Sequence, residues 1–497
     1  MNKRVLAGLI LAMALPALDL MALGAAAPEV AGDLGQLDQV AWLFVGYQLA
    51  LVVTVPIYGK LGDLRGRRLV FLFSVSVFTA SSLLAGLAWS FPVLVVARIA
   101  QGVGGGGIIS QTHAVVADLV SPRERGRYSW ITPTVWTIAS FLGPVFGGAL
   151  AEHVDWRWIF LLNLPFGALS IWFVRGAFPA RVNQERRSFD VAGAAMLVVS
   201  YGGLVFALSV GGDLFAWSHP AIVASALVGA VTLVAFVLQQ FRSVDPVMPL
   251  RLVRVPVVRA AAATTFFIGL VSFFALAFLP LMLQVVNGVG ATEAGLAILP
   301  TTAGIAVSST ITGRIVVRTG LYRPWPILGS AAFASGYWVL SSIGSSPTMW
   351  VVWCGSGLLG IGMGMGSPVF MMAMQNAVPH RDVGVVSAMA MFARNTGQVF
   401  GVAAAGTFFV SRLGHHLDRL VTPAQLGGIG VDEVRGDVDV IRELPAAVEP
   451  LVADAYRLAV TDVFTVGIWG GVLSLLAALA IPQLPLRETI DDVPAEN

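Results

Sequence analysis

Apolar runs recur along this chain at about 5–28, 40–58, 69–90, 92–116, 130–152, 158–177, 190–210, 219–240, 257–285, 292–313, 324–344, 348–376, 384–411 and 462–482. Most are near the roughly 20 residues that a helix needs to cross a bilayer core. The pattern predicts an all-α membrane protein with fourteen transmembrane helices. The polar stretches between the runs alternate in charge. Alternate loops carry Lys60, Arg65, Arg67 and Arg68; Arg123, Arg125 and Arg127; Arg181, Arg186 and Arg187; Arg242, Arg251, Arg254 and Arg259; Arg314, Arg318 and Arg323; and Arg381. The loops between them are poor in cations, and 29–39 has Glu29, Asp33 and Asp38 with no Lys or Arg. Cations gather on the cytoplasmic side of membrane proteins, which puts the arginine loops and both termini there. The longest hydrophilic segment, about 412–461, then lies outside. Within it Val448, Leu451, Val452, Ala455 and Leu458 fall at helical spacing. They predict a short surface helix over Pro445–Val460, leading into the last span.

Composition agrees with a lipid setting. Of 497 residues 57% are hydrophobic and 12% charged, against about 25% charged in a soluble domain. Mean hydropathy is +0.81. A net charge of +2 leaves no nucleic-acid footprint. The lone Cys354 excludes an internal disulfide and a multi-cysteine metal site. The first apolar run is longer than the 7–15 residues of a signal-peptide core, and it carries Asp19. It reads as an uncleaved span. There is no GxxxxGK[ST], no HExxH and no Ser-His-Asp or Cys-His set, which disfavours ATP-driven transport and a membrane-embedded hydrolase.

An internal repeat is visible. Gly143-Pro144-Val145-Phe146-Gly147 recurs 254 residues later as Gly397-Gln398-Val399-Phe400-Gly401. At the same offset Gly59 and Gly66 match Gly313 and Gly320, and Gly102-Val103-Gly104 has a looser echo in Gly360-Ile361-Gly362. This predicts two pseudo-symmetric six-helix bundles, 1–180 and 246–497, with two additional helices inserted at 181–245. Duplicated halves around a midplane site are how secondary transporters are built.

Two charges lie inside spans. At 1.5 Å per residue Asp19 is roughly 13 Å from the outer end of its helix and Arg98 roughly 9 Å from the outer end of helix 4, so the two can meet. An intramembrane charge is a functional-site hypothesis by default. Burial favours a neutral carboxylate and a neighbouring cation favours a charged one, so Asp19 is a candidate proton carrier; a static ion pair tying two helices is the other reading. At the 254-residue offset the counterparts are Phe273 and Val352, which confines the pair to the first half. Arg394 sits about 15 Å into helix 13. Either it faces a central cavity, with Asn395 and Gln398 as polar contacts, or it hydrogen-bonds backbone in its own half. Tyr47, Gln48 and Gln284 are further candidate cavity residues. Glu293 and His113 read as interfacial.

The segment Gly59-Lys60-Leu61-Gly62-Asp63-Leu64-Arg65-Gly66-Arg67-Arg68 puts four cations and one carboxylate in a tight link between helices 2 and 3. Asp63 is placed to cap a nearby helix start, where free N–H groups favour an anion. The segment resembles the signature loop of the major facilitator superfamily. Gly143, Pro144, Gly147 and Gly148 in helix 5 resemble that family's antiporter motif, with Ala139 where the motif has its first glycine. Further stretches resemble its fourteen-helix drug:proton antiporter branch. They are Arg98-Ile99-Ala100-Gln101-Gly102, Pro122-Arg123-Glu124-Arg125-Gly126-Arg127, Trp156 to Pro165, Gln284 to Pro300, and Arg394-Asn395-Thr396-Gly397.

The resemblance implies a proton-driven exporter of amphipathic or hydrophobic compounds, of the multidrug and antibiotic-resistance kind. It would be a multi-pass monomer among the lipids of a bacterial cytoplasmic membrane, working by alternating access on the proton gradient without a cofactor. It assigns proton coupling to Asp19 with Arg98 beside it. It assigns a cytoplasmic gate to Gly59, Gly62, Asp63, Gly66 and Arg67, with Asp118 as a partner for the arginines. Two other readings stand beside it: export of one endogenous metabolite or lipid, and a non-transporting membrane sensor.

Overall fold

The computed structural model describes residues 3–34, 41–120, 131–175, 189–211, 215–243, 245–289, 291–344, 348–421 and 448–487, with Glu124 and Tyr128. The remaining arginines of the 121–127 loop, the 181–187 arginines and the middle of the 412–461 segment lie outside the described residues, as do the side chains of Glu293 and Arg381.

Its elements are α1 (Lys3–Asp33), α2 (Ala41–Arg65), α3 (Arg67–Gly86), α4 (Phe91–Leu119), α5 (Ile131–His153), α6 (Arg157–Leu161), α7 (Asn163–Arg175), α8 (Val191–Val210) and α9 (Pro220–Arg242). There follow α10 (Pro256–Ser272), α11 (Phe274–Asn287), α12 (Ala291–Leu296), α13 (Leu299–Thr319), α14 (Pro324–Ser341), α15 (Met349–Asn376), α16 (Val383–Leu420) and α17 (Glu449–Leu479). Three predicted spans are broken in two, as α6–α7, α10–α11 and α12–α13. Counting each pair once gives fourteen spans among the described residues. Twelve meet a length-and-apolarity test. The others are α14 and α16.

The breaks have local causes. Pro165 has no N–H to give to the carbonyl four residues back, and the helix is interrupted just before it, at Leu162. Between α10 and α11 the Tyr337 hydroxyl donates to the Val271 carbonyl and accepts from the Ala275 N–H at 3.4 Å. It replaces backbone bonds that a continuous helix would make.

Two expectations are corrected. The 59–68 segment is helical except for Gly66, because α2 runs on to Arg65 and α3 starts at Arg67. Gly66 has φ 90°, a conformation open to a residue without Cβ, so one residue makes the whole turn. The predicted surface helix at 445–460 is not separate either; from Glu449 it is continuous with the last span. Val452, Ala455 and Tyr456 are buried, so the apolar face read as amphipathic is a packing face.

The repeat holds at the level of contacts. A Cβ on Gly102 or Gly106 of α4 would strike the carbonyls of Tyr47 and Leu51 of α2; one on Gly360 or Gly364 of α15 would strike those of Thr301 and Ile305 of α13. Likewise Gly147 of α5 meets the Ala22 carbonyl of α1, and Gly401 of α16 the Leu270 carbonyl of α10. The offsets implied are 254 for α2 to α13 and α5 to α16, 258 for α4 to α15 and 248 for α1 to α10. Small residues let helix backbones touch without a hydrophobic drive between helices. The inserted α8 touches both halves: Phe206 stacks on Trp42 at 5.6 Å and Tyr201 on Phe392 at 5.4 Å. Behind it α9 turns Leu227, Val231, Val234 and Phe241 outward, as a lipid-facing helix does.

Candidate functional site

The first site grows from the α2–α4 glycine contact. With the backbones that close, Arg98, one turn before Gly102, lies 4.3 Å over the Tyr47 ring. Its Nε donates to the Leu43 carbonyl at 3.2 Å. Its Nη1 donates to Gln101 Oε1 at 2.8 Å and pairs with Asp19 Oδ2. Gln101 Nε2 and Asn163 Nδ2 donate to Asp19 Oδ1 at 3.2 and 2.9 Å. Both amides also reach Ser82 Oγ, at 2.7 and 3.3 Å. Arg98 and Asp19 are 0% and 1% exposed. The carboxylate is thus held by one cation and two amides, sealed from bulk solvent.

Sequence reasoning brought Asp19 and Arg98 together but missed Gln101, Asn163 and Ser82 as members. A signal existed for one of them: Gln101 follows Arg98 at i+3, on the same helix face. Asn163 is aimed at Asp19 from the first residue of α7, which the α6–α7 break sets. Tyr47 belongs to this site, and its hydroxyl has no hydrogen-bond partner among the described residues. By the contact offsets, the counterparts of Asp19 and Arg98 are Phe267 and Ser356, in place of the Phe273 and Val352 given by a uniform offset. Neither counterpart carries a charge, so the asymmetry between the halves stands.

The second site is at the arginine-rich end. Arg67, buried, pairs with Asp63 at 3.0 Å and Asp118 at 2.9 Å, and donates to the Ala114 carbonyl. Asp63 Oδ2 accepts the Val385 N–H at 3.1 Å. Asp63 therefore caps α16, whose own N-cap residue Asp382 makes no side-chain cap bond. The carboxylate fills the space left by the missing side chain of Gly384, and Gly59 faces Ala388 and the Gly384 carbonyl. Gly62 lies against the Gln111 amide, which donates to the Tyr58 carbonyl at 2.6 Å. His380 reaches Asp118 at 3.3 Å. These contacts join α2 and α4 of the first half to α16 of the second.

In helix 5, Gly143 and Gly147 lie against Met21 and Ala22 of α1, whereas Gly148 has open space and Pro144 is exposed. Ala139 is buried against Met13 and Ala17 of α1. The α1–α5 seam thus fixes the helix that bears Asp19. Gly147→Val should destabilise the fold by about 1–3 kcal/mol through overpacking, while Gly148→Ala should be neutral. Thermal unfolding in detergent separates the two.

Of the other candidates, Gln284 donates to the Pro280 carbonyl of its own helix at 3.3 Å. Gln48, Asn395 and Gln398 are half-buried. Arg394 makes no hydrogen bond or ion pair among the described residues, and its Nε is sealed from solvent without a partner. The backbone bonding considered for it is absent.

A sequence model described as Major Facilitator Superfamily matches residues 9–402. The chain is 31% identical over 446 residues to the multidrug transporter protein MdtP of Bacillus subtilis, covering 88% of this chain and 82% of that one. It is 28% identical over 502 residues to multidrug resistance protein 3 of the same organism, covering 99% and 97%. It is 32% identical to an uncharacterized MFS-type transporter of Mycobacterium tuberculosis, covering 94% and 67%. Among solved structures, a bacterial homologue of the iron transporter ferroportin matches with TM-score 0.59 at 13% identity, covering 94% and 99%. At that identity the likeness is one of fold.

Proposed function

This chain belongs to the major facilitator superfamily, and we propose that it is a proton-driven exporter of small amphipathic or hydrophobic compounds, working by alternating access. It is a multi-pass membrane transporter, not an enzyme, with relatives named as multidrug transporters. The proposal places it in a bacterial cytoplasmic membrane with the arginine-rich end inside. The observation that carries it is the fully buried Asp19–Arg98 pair. A charge pair in a lipid-embedded bundle is costly, and a static fold or a sensor has no need of one.

In the proposed cycle a proton from outside neutralises Asp19 and releases Arg98 to Gln101, Leu43 and the Tyr47 ring. Loss of that proton inside restores the pair. The two protonation states differ in one buried charge, and a proton selects between conformations by its differential affinity for them. The shut arginine-rich end is the state in which cargo is kept from the cytoplasm. Purified protein in liposomes, with an imposed pH gradient and a panel of dyes and lipids, tests this. Efflux that ignores the gradient would overturn the coupling.

Orientation has its own test. Single cysteines in place of exposed Trp89 and Arg318, on a Cys354→Ser background, should react with an impermeant maleimide from outside and inside the cell respectively. Labelling of both from one side would overturn the topology.

A further inference from the structure

Arg394 presents a charge that nothing among the described residues answers. It lies eleven residues into α16, roughly 16 Å by helical rise, and so deep within the span. Gln398 follows on the same face at i+4, half-buried. Across from them on α4, His113 lies close enough for the Arg394 charge to act on its ring. His113 Nε2 and, one turn earlier, Ser110 Oγ are buried without partners.

The buried and half-buried carboxylates described at the nearby elements have other partners. Asp63 serves Val385 and Arg67. Asp118 serves Arg67 and His380. Asp190 serves Gly193 and Gln240, Asp382 serves Arg251, and Asp462 serves Arg412 and His416. A guanidinium in a span without a counter-ion is expensive, and it marks a functional site whose partner has to be named. Among the described residues no side chain supplies that partner, while two groups on α4, His113 Nε2 and Ser110 Oγ, retain unused polar atoms.

We propose that Arg394, with Gln398 and His113, binds the acid group of the transported molecule, so that the cargo is an anionic amphipath: a carboxylate, sulfonate or phosphate monoester on an apolar body. Arg suits this task because its planar fork meets an oxyanion with two parallel bonds. The site lies on the α4–α16 seam between the halves, in reach of the gate, where rocking of one half would break the set of ligands. The same field disfavours cationic dyes. The inference rests on the exporter reading for the word cargo, but its test does not need a proton gradient.

The test is equilibrium binding to the full chain in phosphatidylcholine nanodiscs. The probes are octanoate and octyltrimethylammonium, which share a tail and differ in head charge. Wild type should prefer octanoate. Arg394→Gln should weaken octanoate by roughly ten- to a hundredfold, the range for one lost charge-assisted hydrogen bond, and leave the ammonium probe unchanged or tighter. Arg394→Lys should fall between. Retained ammonium binding by Arg394→Gln is the control for folding. Equal octanoate affinity in wild type and Arg394→Gln, or preference of wild type for the ammonium probe, would overturn the proposal. Displacement of octanoate by added phosphatidylglycerol would assign the site to a lipid headgroup and overturn the cargo reading. Asp19→Asn should keep octanoate binding even where it loses gradient-driven efflux, so failure of coupling and failure of this site give different results.

Discussion

Asp19→Asn is expected to reduce pH-gradient-driven efflux to background while substrate binding survives. The substitution keeps the shape of the site and both amide contacts, from Gln101 and Asn163. It removes the group that gains and loses the proton. Arg98 keeps the Leu43 carbonyl, Gln101 Oε1 and the Tyr47 ring, so the protein should still insert and fold. Arg98→Ala is the harsher change, because it strands a carboxylate at 1% exposure; removing one partner of a buried pair costs about 3–5 kcal/mol. Tyr47→Phe should be close to neutral, since the hydroxyl bonds nothing among the described residues and the ring face is retained. The deciding measurement is substrate-dependent proton movement in liposomes for wild type and Asp19→Asn. Equal proton flux would show that the carrier lies elsewhere.

The second large effect is expected at the proposed gate. Asp63→Asn removes the anion that caps α16 and pairs with Arg67. A charge-assisted hydrogen bond contributes about 1.5–3 kcal/mol, so the closed state of the arginine-rich end should lose roughly ten- to a hundredfold in population. Asp63→Glu keeps the charge and should be milder. Gly384→Ala leaves the charge in place but puts a methyl where the Asp63 carboxylate lies, and should reproduce the defect. Spin labels at Arg65 and Arg318, on opposite halves, read the opening directly. An unchanged distance distribution in Asp63→Asn would reduce the segment to a topology signal.

Asp19 and Arg98 were legible in the sequence because charge inside an apolar run is a one-dimensional anomaly, and Asp63 because it is the one carboxylate in a cation-rich link. Their depth follows from helical rise, and the role of Asp63 as a cap follows from its chemistry. Which helix it caps did not follow: Val385 is 322 residues away, and no local pattern links them. Gln101 carried a signal in its i+3 spacing from Arg98 that was not used, whereas Asn163 and Ser82 were not legible as site members, since a lone amide or hydroxyl in a span is unremarkable until its neighbours are known.

The number of spans, their alternation and the duplication were determined by the sequence alone, because hydropathy and charge act residue by residue against the bilayer. The tertiary structure decided the rest. A uniform 254-residue offset put the counterparts of Asp19 and Arg98 at Phe273 and Val352; the glycine contacts put them at Phe267 and Ser356. The difference arises because each pair of helices is registered by where backbones touch, and loop lengths between them are free to vary. The break at Phe273 is likewise set from outside its helix, by the Tyr337 hydroxyl of α14. The charge of Arg394, unanswered among the described residues, belongs to the same class, because the absence of a partner is a property of all the surrounding helices and of no single stretch of chain.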